Sequence, residues 1–241
     1  MPSSPIKPPR KEDVQKSIDA CLDNADRLMD DALHLEFQER GGTRLAICML
    51  AQEEYAKAFL LYMAREELLP WDADLLRVMR NHECKHLLAI VMEYIDPEWD
   101  TLEELQAIIR GEYDLGDSFP PRVSSALNIL YFEKIGRGNF EYGDDDYAPD
   151  VVAIAFRARD RIKQDALYID LDKSCRVKNA PMEVSREDAE AEYKRASRYA
   201  SIVIGLVGPD PHERLQLEKL KKAMKLVFWQ KYKPIATAGY P

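Results

Sequence analysis

The segment TRLAICMLAQEEYAKAFLLYMAREEL, residues 43 to 68, constrains the fold more than any other part of the chain. Leu45 to Ala51 and Ala58 to Met63 are apolar on every side of a helix, so a helix here must be covered all round by other elements. Such a helix sits at the centre of a bundle. Into its middle go Glu53, Glu54 and Lys57. Glu53 and Lys57 stand four apart with the acid first, the favourable order for a helical ion pair. Within a covered helix an unpaired charge is very costly, so each of these groups needs a partner. Two arrangements meet that need. In one, Glu53 and Lys57 pair and fix the helix register. In the other, Glu53 or Glu54 orients a cationic side chain of the neighbouring helix, with Arg80, His82 and Lys85 as candidates.

The remaining segments supply helices to surround it. From Lys11 to about Phe37, Val14, Ile18, Cys21/Leu22, Ala25, Leu28/Met29, Ala32 and Leu35 recur at three- and four-residue steps. ERGG at 39 to 42 reads as a helix stop, its glycines supplying positive φ. Pro70 and Trp71 form a turn, Asp72 caps, and a third helix runs from about Asp72 to Ile95. A short helix, LEELQAIIR, follows DPEWD. Residues 111 to 150 are a loop-rich insertion around one more short helix, SSALNILYFEK. A helix resumes at about Val151 and ends near QDALYIDLDK. Ser185 caps a long helix from about Arg186 to Leu206 in SRED, a capping box with Asp in the last place. A last amphipathic helix covers 211 to about 231. Strand-like alternation is nearly absent. The expected fold is therefore all-α, a bundle of about five to seven helices with no significant sheet. Residues 1 to 10 read as a disordered leader, 11 to 231 as a single helical domain and 232 to 241 as a flexible tail.

Charge narrows the function classes. The formal net charge is −9 and the pI about 5.1, which argues against non-specific coating of nucleic acid and leaves only local recognition. The stripe Lys219, Lys221, Lys222 and Lys225 in the last helix reads as a solvated face, and Asp144-Asp145-Asp146 as a solvated loop without the regular ligand pattern of a calcium site. Cys21, Cys48, Cys84 and Cys175 form no CxxC and read as thiols of a reducing compartment. The N-terminus has no apolar h-region, and no apolar run is long enough to span a bilayer. These features point to a cytoplasmic protein with no membrane partner.

RVMRNHECKHLLAI, residues 77 to 90, offers three chemistries. His82-Glu83-Cys84-Lys85-His86 spells HExxH, and histidines four apart share a helical face and could both ligate zinc. Arg80 and Lys85 stand too close for a dication to be welcome, however, and no helical third ligand follows: Glu141 and Asp145 fall in a Gly-rich stretch. Glu83 to His86 also spells ExxH, but a di-iron site needs a second ExxH and two more glutamates. His212 follows prolines and does not provide it. No metal and no cofactor are expected. The third reading is Arg80-Asn81, four residues, then His86. A polar helix surface explains Glu83 and Arg77, but explains less well why two of the four histidines fall beside Arg80 and Lys85.

TRLAICMLAQEEYAKAFLL resembles the Arg…Ala…Glu-Glu-Leu-Gly-Lys-Ala helix of the AbiV-type abortive-infection proteins, a branch of the HEPN superfamily. Arg80, His82 and Lys85 match that family's R-x-H-x-x-K segment. RIKQDALYIDLD, 161 to 172, resembles its K-Q-x-A-L-Y-V-D stretch, and the proline turn and capped helix PMEVSREDAEAEYKRA follow in order. The chain departs from the family at Tyr55-Ala56, where Leu-Gly is usual. The resemblance covers roughly residues 15 to 205. It implies a HEPN-like bundle, a role in bacterial anti-phage defence and, in the broader superfamily, a metal-independent endoribonuclease site completed at a homodimer interface. RNA as substrate, a phage protein as trigger and toxicity to the infected cell are the implied partners and outcome. On that reading Arg80 stabilises the phosphorane, His82 or His86 is the acid or base, and Asn81 helps. Lys85, Glu53, Glu54 and Lys57 support the site. Six residues of regular helix turn through about 240°, so Arg80 and His86 converge only across a kink near 81 or between protomers. The alternative function is a non-catalytic helical module that binds a phage or toxin partner.

Overall fold

A computed structural model describes residues 6–37, 41–95, 119–135, 147–208 and 215–228. In chain order the elements are α1 (Lys11–His34), α2 (Gly42–Arg65), α3 (Ala73–Arg80), α4 (His82–Glu93) and α5 (Pro121–Ile129), which runs into a π-helical turn (Leu130–Ile135). Then come α6 (Pro149–Ala155), α7 (Ala158–Leu167), the strands β1 (Asp170–Leu171) and β2 (Val177–Asn179), α8 (Arg186–Val207) and α9 (Leu215–Phe228). The architecture is the expected all-α bundle, and among the described residues its sheet is one antiparallel pair.

The apolar helix takes the centre, with α1, α4, α7 and α8 packed around α2. Ala46, Cys48, Ala51, Ala56, Ala58, Phe59, Leu60 and Met63 are wholly enclosed. The stripe of α1 covers one side of it through Val14, Ile18, Ala25, Met29 and Ala32. Ala56, which the resemblance sets against a glycine, is fully buried.

Two expected helices are broken, and the breaks raise the number of α-helices to nine among the described residues. The helix read from Asp72 to Ile95 stops at Asn81, whose ψ of 123° is extended. Asn81 Oδ1 accepts the Cys84 N–H at 2.9 Å and so caps α4, while Asp72 accepts the Leu75 N–H at 2.9 Å and caps α3. An Asn side chain offers the backbone this alternative to continued helix, which hydrophobic periodicity does not register. The helix read from Val151 breaks at Arg157, which is left-handed at φ 70° and costs about 1–3 kcal/mol in a non-glycine residue.

The glycines of ERGG act by size rather than by positive φ. Gly41 has φ −72° and begins α2. A Cβ there would stand 2.9 Å from the Ser185 carbonyl oxygen, and one on Gly42 would stand 2.8 Å from that of Ala166. Bare backbone therefore lets the start of α2 lie against α7 and the entry to α8. Ser185 caps α8 as expected: its Oγ accepts the Asp188 N–H at 3.0 Å and donates to Asp188 Oδ2 at 2.7 Å. In α9, Lys221 is tied to Glu218 at 2.7 Å, and Lys222 and Lys225 are exposed.

Residues 101–110 and the acidic run 144–146 lie outside the described residues, as do Glu141, His212, the side chain of Lys219, the first five residues and the segment 232–241. Among the described residues no helix is long and apolar enough to cross a membrane.

Candidate functional site

The site grows from one acid on the central helix. Glu53 is 2% exposed, and both its oxygens are taken by side chains from neighbouring helices. Lys85 Nζ of α4 donates to Oε2 at 2.6 Å, and Lys163 Nζ of α7 donates to Oε1 at 2.6 Å. His82 Nδ1, also on α4, lies 2.5 Å from Oε2. Burial alone would raise the Glu53 pKa, but Lys85 and Lys163 outweigh it and hold the carboxyl ionised, at about 2. An ionised carboxylate only accepts, so His82 Nδ1 carries the proton and donates it. That fixes the tautomer and leaves His82 Nε2 as the basic nitrogen. His82 is half exposed, whereas Lys85 and Lys163 are buried.

Of the two arrangements open for the charges of the central helix, the second holds, and Glu53 is the glutamate concerned. Lys57 pairs with Glu54 instead, three residues away, at 2.7 and 2.8 Å. The register pair expected between Glu53 and Lys57 is thus replaced, because three cationic or protonated groups from α4 and α7 reach Glu53 in the interior.

The break at Asn81 separates the members of the R-N-x4-H pattern. Arg80 ends α3, is exposed, and has no ion-pair partner among the described residues. Asn81 acts as the cap of α4. His86 is 3% exposed, and its Nε2 stands 3.6 Å from Glu53 Oε1, beyond hydrogen-bond reach. Burial first, and the nearby Arg159 second, push its pKa down to about 3, so His86 is neutral. Exposed Arg80 and buried His86 do not meet in this chain; Arg80 and His82 flank the Asn81 break.

Beside Glu53 runs a second network. Glu192 of α8 accepts from Arg159 of α7 at 2.7 and 2.9 Å, from Arg195 at 2.7 Å and from Gln52 of α2 at 2.8 Å. Burial would raise its pKa too, but Arg159 and Arg195 bring it to about 2. Tyr199 donates to Glu93 at 2.8 Å. A cavity of about 60 Å³ beside this second network is lined by His86, Gln52, Glu93, Arg159 and Arg195 among others.

Neither Lys163 nor Arg159 nor Glu192 stood out in the sequence. Lys163 opens the KQDALY block, so it lay inside a stretch already matched to the family, but nothing in its helix marks it as buried. Glu192 sits in AEAEYKRA among other charges, and only the packing of α8 on α2 distinguishes it.

The arrangement suits proton transfer better than metal binding. The positions on Glu53 where a dication would sit are filled by two ammonium groups, and among the described residues no group of three or more His, Cys, Asp and Glu could hold a metal ion. What remains is a histidine with one nitrogen anchored on a buried carboxylate and a face toward solvent.

The sequence model of the AbiV family, a HEPN family, matches residues 13–201. The chain belongs to that family. It is thus an abortive-infection protein of HEPN type. The matched span contains Glu53, Arg80, His82, Lys85, Lys163 and Glu192, so both carboxylate networks belong to the family region of this AbiV-type chain. No curated protein and no solved structure matches the chain.

Proposed function

We propose that this AbiV-type protein is a metal-independent endoribonuclease of the bacterial cytoplasm. It would stop translation in phage-infected cells with His82 as its base and Arg80 as its phosphate-stabilising cation. The observation that carries this reading is the 2.5 Å bond from His82 Nδ1 to the buried Glu53 carboxylate. A fixed negative charge behind an imidazole holds its orientation and stabilises the imidazolium that forms when Nε2 takes a proton. His82 Nε2 removes the proton of an RNA 2′-hydroxyl, and the 2′-oxygen attacks phosphorus. The bond to the 5′-oxygen breaks, and that oxygen takes a proton from solvent. The products are a 2′,3′-cyclic phosphate and a 5′-hydroxyl. Arg80, exposed and without an ion-pair partner among the described residues, is suited to the doubly charged phosphorane through two parallel N–H donors. Lys85 and Lys163 keep Glu53 ionised, and His86 is a buried neutral group behind it. Completion of the site by a second protomer and release by a phage protein belong to the same reading.

The test is induced expression of wild type, His82→Gln and Arg80→Ala, with total RNA extracted and soluble protein measured in each culture. Both substituted residues are solvent-facing, so soluble yield should hold. Growth arrest with fragmented RNA bearing cyclic-phosphate ends, abolished by either change, supports the reading. Arrest with intact RNA, or arrest undiminished in both variants, would move it to a non-catalytic module that binds a phage or toxin partner.

A further inference from the structure

The joint between α6 and α7 carries two neighbouring side chains that stand largely out in solvent. Phe156 is 69% exposed, although it is a large aromatic residue. Arg157 beside it is 71% exposed and holds the left-handed backbone, φ 70° and ψ 17°, that a helix end usually gives to glycine. A non-glycine residue in that conformation carries strain, which the surrounding contacts must offset. Its position is set from one edge only. Arg157 Nε donates to Glu83 Oε1 at 2.6 Å, and its terminal amino groups have no partner among the described residues.

Glu83 is the next residue after His82 on the first turn of α4. It is pinned from the other side by Lys134 at 2.7 Å, and Lys134 also donates to the Ala155 carbonyl at 2.8 Å, just before the joint. The Lys134–Glu83–Arg157 bridge therefore ties the joint to the helix end that presents His82. Near that end stand an exposed aromatic face, a guanidinium whose two terminal amino groups have no partner among the described residues and, at the end of α3, the exposed Arg80.

We infer that Phe156 and Arg157 form a contact for single-stranded RNA, an unstacked base lying on the Phe156 ring and a backbone phosphate on the outer edge of Arg157. This rests on the ribonuclease reading and names the form of RNA the site takes. An exposed ring stacks only on a base that is free of its duplex, whereas an A-form helix offers shape and phosphates but no free base face. The acidic chain as a whole repels RNA, so affinity must come from a local contact of this kind.

The test uses a short fluorescent oligoribonucleotide with 2′-O-methyl riboses, which cannot be cleaved by 2′-oxygen attack, and reads binding by anisotropy at several salt concentrations. Phe156→Ala should weaken binding by about five- to a hundred-fold, the usual range for one base stacked on an aromatic ring. Arg157→Gly removes the guanidinium and relieves the left-handed backbone, so its Tm should stay level or rise while affinity falls. The slope of log affinity against log salt should drop by about 0.7, the value of one phosphate contact on a single strand. The same sequence as a duplex should bind far more weakly. The inference is overturned by unchanged affinity in either folded variant, by equal binding of the duplex, or by a wild type that does not bind the single strand. Binding that depends on both residues, in a protein that leaves ordinary RNA intact, would sink the ribonuclease reading and leave this one standing. Cleavage that ignores both residues would do the reverse.

Discussion

Glu53 and Glu192 are two answers to one physical problem. Glu53 is buried and Glu192 largely so, both have their pKa held at about 2 against the pull of burial, and both take a cation from α7, Lys163 in one case and Arg159 in the other. They differ in what closes each network. Glu192 is closed by arginines and an amide, groups that do not change protonation near neutral pH, and it locks α7 and α8 onto α2. Glu53 has two lysines and then a half-exposed histidine. One carboxylate ends in structure, the other in a group that can take up a proton. A buried acid by itself is therefore a weak sign of function; the last member of its network, and that member's exposure, decides.

The sharpest test of this contrast is removal of each acid. Glu53→Ala strands two buried lysines and should cost about 3–5 kcal/mol, measured by denaturant unfolding, with loss of any His82-dependent activity in whatever protein still folds. Glu192→Gln should cost less, about 1–3 kcal/mol, because Arg195 is 40% exposed and can turn to solvent. Equal costs would mean the two networks are the same kind of object.

Acid should weaken both networks in the same window. The folded pKa of each glutamate is depressed to about 2, from an ordinary value of 4.5. Their stabilisation, on the order of 3 kcal/mol each, is present above the ordinary value and lost as pH falls through about 2. Unfolding free energy measured against pH should fall steeply there in wild type and less steeply in Glu192→Gln. His86 adds a second slope at higher pH. Its folded pKa of about 3 lies below the ordinary ~6.5, so only the unfolded chain takes the proton in between. Stability should therefore fall as pH drops from about 6.5, and His86→Gln should flatten that part of the curve. A profile unchanged by that substitution would mean His86 is solvated.

The smallest effect belongs to the neighbouring acid. Glu54 is partly exposed, and its ion pair among the described residues is with Lys57 within α2, so Glu54→Ala should cost about 0.5 kcal/mol or less in thermal unfolding. A loss of several kcal/mol there would erase the distinction between adjacent glutamates on which the site is built.

The sequence carried the bundle and its centre, because an all-round apolar helix has only one kind of place to go, and because the stripe of α1 and the Ser185 cap are local signals. It carried the need for partners at Glu53 and offered His82 and Lys85 among the candidates, since a charge in such a helix must be answered. It did not show the break at Asn81, because a side-chain cap competes with helix without disturbing apolar spacing. It did not single out Lys163, Arg159 or Glu192, whose segments read as ordinary polar helix.

By itself, then, the chain determined that charges in the central helix would need partners, since periodicity and the cost of a lone charge are properties of a segment; that Glu53 rather than Glu54 is the enclosed one came from the packing. Which cations reach it, and that His82 faces solvent while His86 does not, depend on how α4 and α7 cross α2. Those choices were made by tertiary packing, where one residue's exposure is set by side chains distant in sequence.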